Sequence, residues 1–219
     1  MPDESPIDTE KRVAAEAAAE LVEDGTKVGL GTGSTVAFLL PALAARQLSI
    51  HCVATSPETE RNARELGIDV GSSASVDRLD IAIDGTDQVT PDGWLIKGGG
   101  GAHFREKIVA AAADRFIVIG DSSKPVDQLS APVPLELAKF GLAATMREVG
   151  EVELRDVLES PDGGLIADYR GPVGDPAELS AWLASIPGVV GHGLFPPKLV
   201  SEVLIGRGES AERLELARG

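Results

Sequence analysis

The sequence predicts an α/β fold: a doubly wound, mostly parallel sheet with helices on both faces, plus a small α+β domain. Short apolar runs alternate with helical segments through the first 130 residues, and this alternation is typical of parallel sheets. Aromatic residues make up only 4% of the chain, so Val, Ile, Leu and Ala must build the core. After about residue 130 the pattern changes and becomes punctuated by prolines.

The first part of the chain predicts a helix and then alternating strands and helices. Val13, Ala17 and Leu21 recur at helical spacing, so a helix is expected over 8–23, with Asp8 as its N-cap. Strands are expected at 28–30, 50–54, 81–83 and 116–119. The helices between them are expected at 34–46, 57–66 and 104–113.

The second part predicts a small unit of βαββαβ type, similar to a ferredoxin-like lid. Helices are expected at 141–149 and 176–186, and strands at 151–155, 165–169, 189–195 and 200–205. The expected division is therefore an α/β domain over 1–130 and 205–219, with the small α+β domain over 131–204.

The charge of the chain excludes several kinds of partner. Acidic residues number 35 against 20 basic ones, which gives a net charge of −15. Such a surface repels nucleic acid and anionic membranes, so neither is expected as a partner. Only seven of the basic residues are lysines, which indicates adaptation to high salt. An ordinary acidic cytosolic protein is the alternative, and both interpretations predict a cytoplasmic location.

Cysteine usage and hydropathy add further exclusions. Cys52 is the only cysteine, so neither an internal disulfide nor a thiolate metal cluster is expected. The acidic N-terminal segment has no apolar centre and does not resemble a signal peptide. We find no apolar run near the roughly 18 residues of a membrane span.

Polar or glycine-rich turns follow four of the predicted strands. Ligands of such sheets bind outside the carboxyl ends of the strands, so these turns should lie along one edge. Their sequences are GTGST, TSPET, DGTD and GDSSK.

The first turn, within Gly-Leu-Gly-Thr-Gly-Ser-Thr at 29–35, opens a helix. Glycines let backbone N–H groups approach a phosphate, and the helix N-terminus attracts negative charge. Thr32, Ser34 and Thr35 add hydroxyl groups. The segment lacks the Gly-Lys-Ser/Thr of a P-loop and the third glycine of a dinucleotide fingerprint. A phosphate site is therefore expected, and the alternative is a tight turn capped by Ser34.

Asp84 and Asp87 form the second turn, three residues apart at the end of a strand. Two carboxylates there could transfer protons or bind sugar hydroxyls. They could also bind magnesium or calcium, or simply satisfy the local backbone in an Asx-turn.

The segment from Lys97 to Lys107 contains four consecutive glycines. Glycines cost backbone entropy, which a backbone lying directly against a ligand would justify. Glu106 then falls in the first turn of a helix, where it either points into a pocket or complements the helix dipole. His103 is expected to be a surface or capping residue. In the fourth turn, Lys124 could reach the same site with Asp121 as its partner, or could remain solvated.

Together these segments resemble the ribose-5-phosphate isomerase type A family. The motifs are GLGTGST, DGTDQV, IKGGGGAHFREKIV, IGDSSK, PVPLEL and IPGVVGHGLF, which span most of the chain. The chain departs from the family pattern at Gln88 and within 101–104, which leaves the local pocket shape open.

This resemblance implies an isomerase that interconverts ribose 5-phosphate and ribulose 5-phosphate in the pentose phosphate pathway. It implies Glu106 as the catalytic base, with catalytic roles for Asp84, Asp87 and Lys97. It further implies no metal, no cofactor and a homodimer or homotetramer. The implied substrate-binding residues are Lys11, Thr32, Gly33, Ser34, Thr35, Asp84, Gly85, Thr86, Asp87, Lys97, Gly98, Gly99, Gly100 and Lys124.

Two alternatives share the same fold. One is a non-catalytic sugar-phosphate sensor, although such regulators usually carry a DNA-binding module, which the acidic chain does not favour. The other is a CoA transferase with a nucleophilic glutamate. The combination of DGTD, KGGGG and DSSK fits the isomerase better.

Overall fold

The computed structural model describes residues 5–72 and 77–217. Its helices are α1 (Pro6–Ala19), α2 (Ser34–Ala45), α3 (Pro57–Glu65), α4 (His103–Ala112), α5 (Leu142–Val149) and α6 (Pro176–Ser185). Its strands are β1 (Lys27–Leu30), β2 (His51–Ala54), β3 (Leu79–Gly85), β4 (Gln88–Val89), β5 (Leu95–Ile96), β6 (Ala113–Gly120), β7 (Val133–Leu137), β8 (Val152–Leu154), β9 (Leu165–Tyr169), β10 (Val189–His192), β11 (Leu194–Phe195), β12 (Glu202–Arg207) and β13 (Ser210–Arg213). Among these described residues no helix has the length and apolar character needed to cross a bilayer.

The main sheet has six strands in the order β13-β12-β6-β3-β1-β2. All neighbours pair in parallel except β13, which returns antiparallel to β12. Alternate residues of each strand face opposite sides, so Ile81 and Ile83 share one core with residues of α1 and α2, while Ala82 shares another with residues of α4. The sheet therefore has helices on both faces, and the predicted α/β class is confirmed.

The start of α1 differs from the expectation. Ser5, not Asp8, is the N-cap, and the Ser5 hydroxyl accepts a hydrogen bond from the Asp8 N–H. Asp8 lies within the first helical turn, where its negative charge complements the helix dipole. Pro6 occupies the first helical position, where its missing N–H leaves no bond unmade, so the helix begins two residues earlier than predicted.

A second sheet contains four antiparallel strands in the order β10-β7-β9-β8. With α5 and α6 these strands follow one another in the chain as β-α-β-β-α-β. Leu135, Leu137 and Ala167 of this sheet share a separate core with Leu179 and Leu183 of α6. We call the unit 133–192 the small unit.

At the end of the small unit, one predicted strand is divided in two and another belongs to the main sheet. The run 189–195 is split at Gly193 into β10 and β11, which belong to different sheets. The strand expected at 200–205 is β12, which pairs with β6 in the main sheet, so the chain leaves the small unit before residue 204. Val203 and Ile205 pack in the main core with Phe116. An apolar run predicts a strand but does not specify its partner.

Helix α1 is fixed to the carboxyl edge of the main sheet. The Glu10 carboxylate accepts hydrogen bonds from the N–H groups of Ser122 and Gly208. A Cβ added at Gly206 of β12 would lie 1.9 Å from the Glu10 carbonyl oxygen. The glycine therefore permits the helix backbone to contact the strand directly.

We expect Gly206→Ala to destabilise the protein by about 1–3 kcal/mol, because α1 must shift to admit the methyl group. Urea unfolding would measure the change in free energy. Ser210→Ala on the neighbouring exposed strand is the control and should change stability by less than about 0.5 kcal/mol. Equal stability of the Gly206 variant and the wild type would contradict the close packing.

Candidate active site

A cavity of about 320 Å³ lies at the carboxyl ends of the parallel strands, where the sheet topology places ligands. Three of the four predicted turns meet there. Its lining residues are Thr32, Gly33, Ser34, Thr35, Gly85, Thr86, Asp87, Lys97, Gly98, Gly99, Gly100, Glu106 and Lys124.

The turn after β1 forms one wall of the cavity. Gly33, with φ of 119°, precedes α2 and has no side chain to cap it, so Ser34 begins the helix instead of capping it. The first N–H groups of α2 and the hydroxyls of Ser34 and Thr35 lie at this wall. Such a helix N-terminus suits an anionic group.

Gly31 is needed beneath this wall, and the sequence prediction omitted it from the site. A Cβ there would lie 2.0 Å from the Asp84 carboxyl group. That carboxylate instead accepts a hydrogen bond from the Thr32 N–H at 3.1 Å. The first glycine of a G-x-G turn after a strand was the available sequence signal for this close approach.

The turn after β2 does not line the cavity but supports the first wall. The Thr55 and Thr32 hydroxyls are 2.7 Å apart, and the Thr59 hydroxyl donates to the Gly31 carbonyl at 2.9 Å. The expectation that TSPET lies at the same edge is therefore met, although its side chains contact the neighbouring turn and not the cavity.

A buried cation and two buried carboxylates form the centre of the site. Lys97 Nζ is 2.9 Å from Asp84 Oδ2 and 3.1 Å from Glu106 Oε2. All three residues are at most 3% exposed. Lys97 also donates a hydrogen bond to the Gly85 carbonyl.

The pKa values of these groups follow from burial and from their mutual charges. Burial raises the pKa of Glu106, and the Asp84 carboxylate raises it further. Burial likewise raises the pKa of Asp84, although Lys97 opposes the change. Burial would lower the pKa of Lys97, but the two carboxylates outweigh this effect and hold that pKa above its ordinary value. Lys97 is therefore a permanent cation beside a carboxyl group that retains a proton more readily than an exposed glutamate.

The glycines at 98–101 form a tight turn, and Gly98, Gly99 and Gly100 line the cavity, so the expected contact of this backbone with a ligand stays a prediction. Gly98 and Gly101 have φ of +111° and +73°, and the Gly101 N–H donates to the Gly98 carbonyl. The Gly99 N–H donates to Asp87 Oδ2 at 2.9 Å, and a Cβ at Gly99 would meet this carboxylate. The turn therefore holds Asp87 at the cavity wall.

Glu106 reaches the cavity because α4 begins immediately after the glycine turn. His103, expected at the surface, is fully buried, and its ring lies where a Gly98 side chain would be. Burial lowers the pKa of His103 to about 3, so the ring is neutral and packs beneath the turn.

Three predicted residues lie outside the cavity lining. Lys11 lies on α1, with its ammonium 3.4 Å from Asp8 Oδ1. Asp84 lies behind the wall, between Gly31 and Lys97. Asp121 is buried and accepts a hydrogen bond from the Ser123 N–H, with Lys124 Nζ 3.8 Å away. The Lys124 side chain itself lines the cavity.

The departure from the family pattern at Gln88 also lies outside the lining. The Gln88 side chain exchanges two hydrogen bonds with the backbone of Ser130. Within residues 5–72 and 77–217, no three His, Cys, Asp or Glu side chains are grouped to hold a metal ion.

We expect Lys97→Met to lower stability by about 3–5 kcal/mol at neutral pH, because it leaves two buried carboxylates without their cation. Without the opposing effect of Lys97, the folded-state pKa values of both carboxyl groups would rise further above their unfolded values, so folding would favour the protonated forms. The loss should therefore be larger near pH 8 than near pH 5.

Chemical denaturation at both pH values would measure this difference. Lys124→Met is the control, because Lys124 is partly exposed and 3.8 Å from its carboxylate, so a loss below about 1 kcal/mol is expected. A Lys97 variant with the same loss at both pH values would contradict the assigned charges.

Comparison with known proteins agrees with this geometry. The family model for ribose 5-phosphate isomerase A (phosphoriboisomerase A) matches residues 51–210. A ribose-5-phosphate isomerase A from Caulobacter vibrioides is 44% identical over 95% of this chain and 98% of its own length. The crystal structure of ribose 5 phosphate isomerase A from Neisseria gonorrhoeae has a TM-score of 0.89 at 34% identity, covering 93% of this chain and 95% of that chain.

A further solved structure, a D-ribose-5-phosphate isomerase in complex with phospho-erythronic acid, has a TM-score of 0.90 at 33% identity. The match covers 96% of this chain and 100% of that chain. These matches show that the chain belongs to the ribose 5-phosphate isomerase A family and is an aldose–ketose isomerase.

Proposed function

We propose that this chain interconverts D-ribose 5-phosphate and D-ribulose 5-phosphate by metal-independent proton transfer through a cis-enediolate. The reaction is a step of the non-oxidative pentose phosphate pathway. The observation that supports this proposal is Glu106, a buried carboxyl group on the cavity wall that pairs with Lys97 and faces the glycine turn.

The phosphate group binds at the N-terminus of α2. The N–H groups of its first turn and the hydroxyls of Ser34 and Thr35 are donors at the cavity wall, and Lys124 adds a positive charge. These local donors offset the repulsion from a chain with net charge −15. Lys11 is implied as a binding residue only by the family resemblance, and we assign it no direct contact with the phosphate.

Glu106 acts as the base on the opened sugar. Its carboxylate removes the proton from C2, and the electron pair moves into the C1–C2 bond while the C1 carbonyl oxygen becomes an oxyanion. The same carboxyl group returns the proton to C1, and the C2 hydroxyl loses its proton as the new carbonyl forms. A carboxyl with a raised pKa is suited to both steps near neutral pH.

The oxyanion is stabilised by donors fixed before the substrate arrives. Lys97 supplies the charge, and the glycine turn supplies backbone N–H groups. Asp87, held by the Gly99 N–H, transfers the proton between O1 and O2 and assists ring opening. Asp84 acts through Lys97 and the Thr32 N–H, since it lies behind the cavity wall.

We expect Glu106→Gln to lower kcat by at least about 10²-fold with an unchanged fold, because the amide cannot accept the C2 proton. A coupled assay with ribose 5-phosphate measures turnover. Glu58→Gln is the matched control, because Glu58 also lies in the first turn of a helix but is exposed on α3. Near-normal turnover by the Glu106 variant would remove Glu106 as the base.

We expect activity to survive exhaustive treatment with EDTA, because Lys97 and the glycine turn supply the positive charge that a metal would otherwise provide. The measurement is the coupled assay before and after chelation, with added divalent ions as the control. Activity that disappears with the chelator and returns with metal would overturn the metal-independent mechanism.

A further inference from the structure

The side chain of Arg155, in the small unit, forms hydrogen bonds with the active-site glycine turn. This residue follows β8, and its Nη1 donates hydrogen bonds to the carbonyls of Gly98 and Gly99, both at 3.0 Å. On the other side of the guanidinium, Nε and Nη2 donate to the two carboxylate oxygens of Asp168 on β9, at 3.0 and 2.6 Å. One planar group therefore joins the small sheet to the turn that lines the cavity.

The ion pair between Arg155 and Asp168 fixes the position of the guanidinium. The two side chains are 19% and 9% exposed, so solvent screens their interaction only partly. A bidentate guanidinium–carboxylate pair fixes orientation as well as distance. Ile166 of β9 also packs against the turn. A Cβ added at Gly101 would lie 3.3 Å from the Ile166 side chain. The glycine turn thus lies directly on the small sheet.

The direction of the carbonyls determines the direction of the N–H groups. In a trans peptide the C=O and N–H point to opposite sides. The carbonyl of Gly98 points to Arg155, and the N–H of the same peptide, on Gly99, donates to Asp87 at the cavity. The carbonyl of Gly99 points to the same Nη1 atom, so the Gly100 N–H also points away from Arg155.

We propose that Arg155, held by Asp168, is a positioning residue that orients the Gly98–Gly100 peptides and, through them, Asp87 in the active site. The assignment rests on the proposed isomerase function. Arg155 does not line the cavity, so it acts on the reaction only through these peptides.

The test compares Arg155→Gln with Arg105→Gln. Arg105 on α4 is a matched control, because its guanidinium forms a similar set of contacts between α4 and the small unit: two bonds to the Asp162 carboxylate and one to the Pro161 carbonyl, where Arg155 has two carbonyl partners. In the described part of the chain, the Arg105 side chain forms no hydrogen bond with the glycine turn. Loss of either arginine removes similar interactions, but only loss of Arg155 frees the peptides.

We expect Arg155→Gln to lower kcat about 10- to 100-fold, because a displacement of about 1 Å at a reacting centre slows the reaction by a factor of this order. The KM for ribose 5-phosphate should stay within about threefold of wild type, since the α2 phosphate site is untouched. Arg105→Gln should keep kcat within about threefold while losing comparable stability in thermal unfolding. A merely structural role of Arg155 would give both variants the same kinetics.

Two milder variants keep the proposal testable if Arg155→Gln does not fold. Arg155→Lys keeps the positive charge but lacks the paired N–H donors of a guanidinium. Asp168→Asn keeps the shape of the side chain but lacks the negative charge. Each should lower kcat by about tenfold while inorganic phosphate inhibits as it does in the wild type. Folded variants with wild-type kcat, or an Arg105 variant as impaired as the Arg155 one, would overturn the proposal. A wild-type protein without isomerase activity would overturn only the proposed function.

Discussion

The buried contact of Lys97 with Asp84 and Glu106 is the constraint on which the site depends. The Lys97 ammonium group lies within 3.1 Å of both carboxylates, and all three residues are at most 3% exposed. Burying charges is costly unless they are paired, so each of the three residues requires the others. The two carboxylates keep Lys97 charged, while burial and the neighbouring Asp84 raise the pKa of Glu106 against the opposing effect of Lys97. Stability and the proposed proton transfer thus depend on one set of distances.

The rest of the fold serves to hold this contact beside a cavity. Parallel strands bring the turns after β1, β3 and β6 to one edge, and β5 leads Lys97 into the same place. Glycines permit the close approach: Gly31 makes room for Asp84, and Gly98 makes room for His103. The small unit reaches this edge through Arg155, so both sheets contribute to the geometry of the site.

Local patterns predicted most elements and the main clustering of site residues. The alternation of apolar runs and helices, and the positions of glycines and carboxylates after strands, depend on neighbouring residues alone. Of the site residues that the family resemblance implied, all but Lys11 and Asp84 line the cavity. The surface position expected for His103 was wrong, because its burial depends on contacts made after the chain folds. The N-cap of α1 was also mispredicted, although Ser5 caps the helix through a local hydrogen bond from the Asp8 N–H. Lys11 lies outside the cavity lining, and its role in binding stays a prediction. The expected homo-oligomer and high-salt adaptation stay predictions.

The sequence by itself determined the α/β class, the order of the elements and the set of turns that meet at the site. These features follow from apolar periodicity and backbone preferences, which act over a few residues. Only the tertiary structure decided that β12 joins the main sheet, that Asp84 lies behind the wall, and that Arg155 contacts the glycine turn. These are contacts between residues far apart in the chain, and no local pattern specifies which distant partner a strand or a charge will find.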